Sequence, residues 1–229
     1  MIKIKRQMSD AALVMIFITL SGGFQDAYSY LVRGKVFANA QTGNIVLLGH
    51  NLFSGNFETA VNYLVPLTFF ALGVLISEQI RGRFKQLTLI HWRQITVSIE
   101  IIMLLIVGFL PIGDIFNPIA NGLTSCACAI QIEAFKTVMG LNYASTMCIG
   151  NLKSCMSAFS SYLRTKEKKY AYNARLYMFV ILTFFAGSSF GSVMCRIFSQ
   201  QSIWFSCGLL AVAVVLMFFK RDKSAEAAN

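Results

Sequence analysis

One stretch, Gly22 to Gly49, sets an acid and a Thr-Gly-Asn break inside otherwise apolar sequence: GGFQDAYSYLVRGKVFANAQTGNIVLLG. It recurs. Asp26-Ala27-Tyr28 is echoed by Glu133-Ala134-Phe135, and Gly43-Asn44-Ile45 by Gly150-Asn151-Leu152, both 107 positions further on. Self-similarity at one constant offset is the mark of a duplicated fold. Whatever shape the first half takes, the second must be able to take it too.

The 229 residues are 56% hydrophobic and only 13% charged, where a soluble domain carries about 25% charge. This is the composition of an integral membrane protein, and no stretch reads as a soluble domain. A net charge of +10 would point to nucleic acid in a soluble chain. Here the basic residues fall between apolar runs, where they orient the chain in the bilayer, so lipid and not nucleic acid is the expected partner. Six cysteines lie in or beside apolar segments, without a CxxC pair or a Cys/His cluster. They read as reduced packing residues, and no metal or cofactor is expected. No Ser/His/Asp set and no phosphate-binding Gly loop is present either. An enzyme is not the expectation.

Six apolar spans can be marked. The first runs from Ala11 through Asp26 to Val32, about 22 residues and enough for a hydrocarbon core of roughly 30 Å. Its basic start and short apolar core also resemble a secretory leader, but its counterpart in the second copy, 115–139, is internal and uncleavable. The other spans are 60–77, 95–112, 176–195 and 203–219. Two segments, 36–53 and 144–159, are too short or too interrupted by Asn, Thr, Ser and Gly to cross alone. Non-helical backbone is tolerated at membrane depth only where protein or water satisfies it. These two are expected to be re-entrant or interfacial, one per repeat.

The charges orient these spans. Seventeen of the 20 Lys and Arg fall in the N-terminal tail, the loops after spans two and four, and the C-terminal tail; Arg33, Lys35 and Arg196 fall on the other side. By the positive-inside rule both termini are cytoplasmic. Three spans per half is an odd number, so the second half enters the membrane in the opposite sense. The expected architecture is therefore an all-α integral membrane protein of six transmembrane helices in two inverted three-helix repeats, 1–112 and 113–219, with a polar cytoplasmic tail at 220–229. Gly73-xxx-Ser77, Ser188-xxx-Ser192 and Gly187-xxx-Gly191 are small-residue faces for close helix packing. They also make a homodimer an expectation.

With Gly22-Gly23-Phe24-Gln25-Asp26-Ala27, then Phe37 and Thr42-Gly43-Asn44, the chain resembles the YoaK-like family of bacterial inner-membrane proteins, a domain of unknown function. The resemblance implies about six helices and the bacterial cytoplasmic membrane, and carries no activity. The second copy departs from Thr-Gly-Asn by having Ile149 before Gly150-Asn151.

Asp26, Glu100 and Glu133 are the acids inside the apolar spans. A charge at a helix centre costs at least about 2.5–3.5 kcal/mol on insertion scales, so such groups face a cavity or a partner. Asp26 and Glu133 each lie six residues before the loop-side end of their span, and are expected to bind a proton, a cation or a cationic substrate. Glu100 is expected to be structural, within reach of Arg93 or Arg81. Thr42, Gly43 and Asn44, with Gly150 and Asn151, are expected where the backbone turns and an amide must bond. The functional expectation is a permease or channel for a small molecule or ion, proton-coupled through Asp26 and Glu133. The alternative is a non-transporting scaffold in which the same residues pin the short segments.

Overall fold

The computed structural model describes residues 12–84, 92–138 and 141–226, without the side chains of 138 and 219–226. Lys3, Lys5, Arg6, Lys85, His91 and the last three residues of the tail lie outside that description, as do the side chains of Lys220, Arg221 and Lys223. The chain forms α1 (Ala12–Val32), α2 (Gln41–Phe53), α3 (Phe57–Phe84), α4 (Trp92–Phe109), α5 (Phe116–Ala134), α6 (Cys148–Thr165), α7 (Lys168–Phe198) and α8 (Ile203–Glu226). A two-residue antiparallel pair, β1 (Thr137–Val138) with β2 (Leu141–Asn142), precedes α6, and a 3-10 turn, Ser199–Ser202, joins α7 to α8.

Three stretches among the described residues are long and apolar enough to cross a membrane: Phe57–Phe84, Trp92–Phe109 and Lys168–Phe218. The last contains α7 and most of α8. Their outer faces carry large apolar side chains, such as Leu64, Leu72 and Leu75 on α3 and Leu182, Phe185 and Val193 on α7. Many of their polar side chains are buried, Ser77, Thr96, Glu100, Thr183 and Ser206 among them, while Thr68 on the outer face turns its hydroxyl to Leu64 O of its own helix.

The interior is built on α1 and α5. Ser21, Gln25 and Ser29 form one stripe along α1, four residues apart and fully buried. Asn121, Ser125, Cys128 and Gln131 form a matching buried stripe on α5. The two helices lie antiparallel with these stripes facing: Asn121 Nδ2 donates to Arg33 O at one end, and Cys128 Sγ to Gln25 Oε1 further along. Their polar side chains thus meet one another in the interior, while apolar residues such as Leu13 and Leu31 of α1 stay on the outer surface.

Close crossings clamp this pair. A Cβ on Gly23 would run into the Phe184 carbonyl, and one on Gly187 into the Leu20 backbone. On the other side, Gly73 sits against Cys126 and Ala129, while Ser77 Oγ donates to Ile130 O at 3.4 Å. The small-residue faces thus join α7 to α1 and α3 to α5 within one chain. They give no separate basis for a homodimer. α2 packs on α3, α6 on α7, α8 on α1 and α4, and α4 on α5.

Two sequence boundaries shift. The span marked to Met139 ends as helix at Ala134, because β-branched Thr137 and Val138 go into the short hairpin. Glu133 is therefore in the last helical turn, not six residues inside. Gly43 and Gly150 are not turn positions; each lies in the first turn of its helix, with open space where a Cβ would be. The real break after α1 is at Gly34 (φ +88°), from which Lys35 N–H reaches back to Tyr30 O at 3.0 Å. That is a Schellman-type stop, and glycine is the residue that takes its left-handed position without strain.

Candidate functional site

The loop from Arg33 to Ala40 crosses the protein without regular structure, so its peptide groups need partners. Side chains supply them. Ser29 Oγ accepts from Ala38 N at 3.0 Å, and Asp26 Oδ1 accepts from Asn39 N at 2.9 Å and Asn39 Nδ2 at 3.2 Å. Ser125 Oγ from α5 and Gln41 Nε2 both donate to Ala38 O. Asn44 Nδ2 reaches back to Phe37 O at 2.9 Å and is also bonded to Gln41 Oε1. Asp26 and Asn44 belong to one arrangement, brought together by the loop between them.

The second copy repeats part of it. Asn151 Nδ2 donates to Ala144 O at 2.7 Å, and Ala144 N returns a bond to Asn151 Oδ1. Gln131 Nε2 donates to Ser145 Oγ at 3.0 Å, and Tyr177 OH to Asn142 O at 2.9 Å. Glu133 is placed differently from Asp26. It forms an ion pair with Lys136, which also reaches Glu78 at the end of α3 at 3.4 Å. Bonding to Glu133, with help from Glu78, pulls the half-exposed Lys136 ammonium above its ordinary value. Thr42, Gly43 and Gly150 are exposed in the first turns of α2 and α6. Of the seven residues marked from sequence, Asp26, Asn44 and Asn151 hold buried loops, and the other four do not converge with them.

Other residues make the centre. Gln25 Nε2 lies 2.9 Å from Ser21 Oγ, 2.9 Å from Glu100 Oε1 and 3.4 Å from Ser206 Oγ. Ser21 and Ser206 share a hydrogen bond of 2.7 Å. With the Cys128 thiol of α5 on Gln25 Oε1, α1, α4, α5 and α8 each contribute to this cluster, and all five of its side chains are buried. Glu100 is fully enclosed and bonded to Gln25, not to an arginine as the sequence led us to expect. Arg93 instead donates Nε to Ala134 O at the end of α5, with its guanidinium over the Trp92 and Phe135 rings.

Arg33, counted from sequence as a loop charge, is 1% exposed. Its guanidinium donates to Val107 O, Leu110 O and Pro111 O at 2.8–2.9 Å, and Nε to Tyr28 OH at 2.8 Å. It closes the carbonyl end of α4, where a helix dipole favours a cation. The six cysteines are all free thiols, five of them buried.

The family described as "Protein of unknown function (DUF1275)" matches residues 14–216. The chain belongs to this family. It is 29% identical over 158 residues to the UPF0700 transmembrane protein YoaK of Bacillus subtilis (strain 168), covering 68% of this chain and 70% of that one. No solved structure matches it. This DUF1275 chain is a multi-pass membrane protein, consistent with the relative's description and with its own apolar helices.

Proposed function

We propose that this DUF1275 protein is a permease or channel of the bacterial cytoplasmic membrane, moving a small molecule or ion between two inverted halves. The observation that carries the reading is the pair of chain breaks after α1 and α5. Their buried residues include Val36, Ala38 and Asn39 in the first and Phe135, Tyr143, Ser145 and Thr146 in the second. Each break leads into a further helix, α2 of 13 residues or the more polar α6 of 18, and each is held by side chains of the central α1–α5 pair. Interrupted segments of this kind surround substrate and ion sites in inverted-repeat transporters. The exchange of neighbours supports the inversion: α1 packs on α7 and α8 as α5 packs on α3 and α4. On this reading α1, α3, α4, α5, α7 and α8 are the six spans, and both termini are cytoplasmic.

The test is purified protein in liposomes, with an internal pH-sensitive dye and a panel of small cations, amines and organic acids. Flux above that of empty vesicles, reduced by Asp26→Asn, supports proton-coupled transport. Absence of flux across the panel, with correctly folded protein, favours the scaffold reading. One observation already speaks for that second reading: the Asp26 carboxylate is used as an acceptor for Asn39.

A further inference from the structure

Glu100 lies two turns inside α4 and is 0% exposed. Its Oε1 accepts from Gln25 Nε2 at 2.9 Å, while its Oε2 is buried and has no hydrogen-bond partner among the described residues. Among those residues no Lys, Arg or His forms an ion pair with it. The groups facing it from neighbouring helices are known. α1 presents Gln25 and Ser21, with Asp26 one residue on and turned to Asn39; α5 presents the Cys128 thiol; α8 presents Ser206 and the Cys207 thiol, which donates to Ile101 O. None of these is a cation. An isolated carboxylate in such surroundings is expensive, and the group becomes tolerable by binding a positive charge.

The geometry selects which charge. Cys128 Sγ donates to Gln25 Oε1 at 2.8 Å, so the amide oxygen is engaged and the amide nitrogen is the atom that faces Glu100. Hard metal cations need a shell of oxygen ligands, and an N–H donor at the centre of the cluster works against one. A proton needs no shell.

We propose that Glu100 is a proton-binding group of this membrane domain, distinct from Asp26, taking up and releasing a proton at Oε2 while Gln25 holds Oε1 in place. The balance is simple. A carboxylate and a proton drawn from water on one face give a carboxylic acid with its new O–H on Oε2, and release toward the other face restores the carboxylate. No oxidation or reduction is involved. Gln25 is a positioning residue. The proposal rests on the transport reading only for the use made of the proton.

The experiment is infrared difference spectroscopy of the protein in phospholipid, between acidic and alkaline buffer. Wild type should show a carboxylic-acid C=O band that responds to pH. Glu100→Gln should lose that band while keeping its melting temperature, since the amide matches the neutral acid in shape. Gln25→Leu should keep the band at a displaced frequency, which a merely structural role for Gln25 would not require. If Glu100→Gln does not fold, Glu100→Asp must displace the band. A band unchanged in both Glu100 variants, no pH-responsive band, or removal of the band by Na⁺ or K⁺ at constant pH would each overturn the proposal. A Glu100 band without any flux in liposomes would leave the proton site standing and remove the transport reading; flux without the band would do the reverse.

Discussion

Asn44 and Asn151, 107 positions apart, each donate the side-chain amide to the carbonyl seven residues earlier: Phe37 O at 2.9 Å and Ala144 O at 2.7 Å. Both side chains are buried, although Phe37 is exposed and Ala144 half-buried, so each amide ties the loop before its helix to the protein interior. Leaving a buried acceptor unsatisfied costs about 1–3 kcal/mol. Asn44→Leu and Asn151→Leu should each lower the melting temperature in detergent or nanodiscs. Their effects should be of similar size, since each also loses a second bond, Asn44 to Gln41 Oε1 and Asn151 from Ala144 N–H. A negligible effect at either position would deny that it pins its loop.

Arg33 yields a sharper expectation. Arg33→Met keeps the bulk but removes the guanidinium donors to Val107 O, Leu110 O and Pro111 O. Val107 O keeps the Leu110 N–H at 3.2 Å and Pro111 is exposed, so the loss falls chiefly on Leu110 O and on the Tyr28 hydroxyl. The variant should melt below wild type by the cost of one buried bond, about 1–3 kcal/mol. Arg33→Lys should recover only part, since an ammonium is a point donor and cannot reproduce the planar fork. Lys35→Gln, two residues on and exposed, is the matched control and should be near neutral. Equal behaviour of Arg33→Met and Lys35→Gln would contradict the buried cap.

Glycines divide into two groups that the chain itself does not distinguish. Gly23→Ala and Gly187→Ala place a methyl group against backbone of the facing helix, and overpacking of this kind costs about 1–3 kcal/mol. Gly43→Ala and Gly150→Ala have open space around the new Cβ and lie in helix. They should be neutral or stabilising by up to about 1 kcal/mol, the difference in helix propensity. Thermal melting of the four variants under one condition checks the order.

The repeat in the sequence pointed to Asn44 and Asn151 because a loop-pinning amide has to recur at a fixed distance from the loop it pins. Thr42, Gly43 and Gly150 were drawn in by adjacency: a Gly-Asn pair at a helix start looks the same on paper as a Gly-Asn turn. The left-handed backbone at Gly34 had no such echo to draw attention to it. Gln25 and Glu100 are 75 positions apart, and no periodicity in one chain says that two such residues meet. Arg33 was counted with the loop charges, since hydropathy alone cannot tell a cation capping a buried helix end from one in water. Glu133 was matched to Asp26 by offset, but the early end of α5 puts it at a helix terminus beside Lys136.

The orientation of the chain is open to a direct experiment. With the six native cysteines replaced, Glu58→Cys at the start of α3 and Lys168→Cys at the start of α7 should respond oppositely to an impermeant thiol reagent on intact cells. On the positive-inside rule, the excess of basic residues between α5 and α7 leads us to expect position 168 in the cytoplasm. Position 58 should label directly, and position 168 only after permeabilisation. The reverse pattern would invert the topology.

Asp26 and Glu133 should also part company in stability. Asp26 Oδ1 holds two donors of Asn39, whose side chain is buried. Asp26→Leu strands both, at about 1–3 kcal/mol for a buried group left without its partner, whereas Asp26→Asn keeps an acceptor oxygen and should retain most of the stability. Glu133 instead pairs with a lysine whose side chain is 52% exposed, and pairs of that kind contribute about 0–1 kcal/mol. Glu133→Leu should therefore cost less than Asp26→Leu, and Glu133→Gln less again. The lysine side of the pair sets its alkaline limit. Because Glu133 raises Lys136 above its ordinary 10.5, the small contribution is complete below that value for as long as Glu133 stays ionised, and fades as pH rises through the higher folded one. Melting curves at pH 7 and pH 9 should show the same small gap between wild type and Glu133→Gln. A Glu133→Leu protein less stable than Asp26→Leu would mean that the ion pair with Lys136, and not the Asp26–Asn39 anchor, is the more important of the two to the fold.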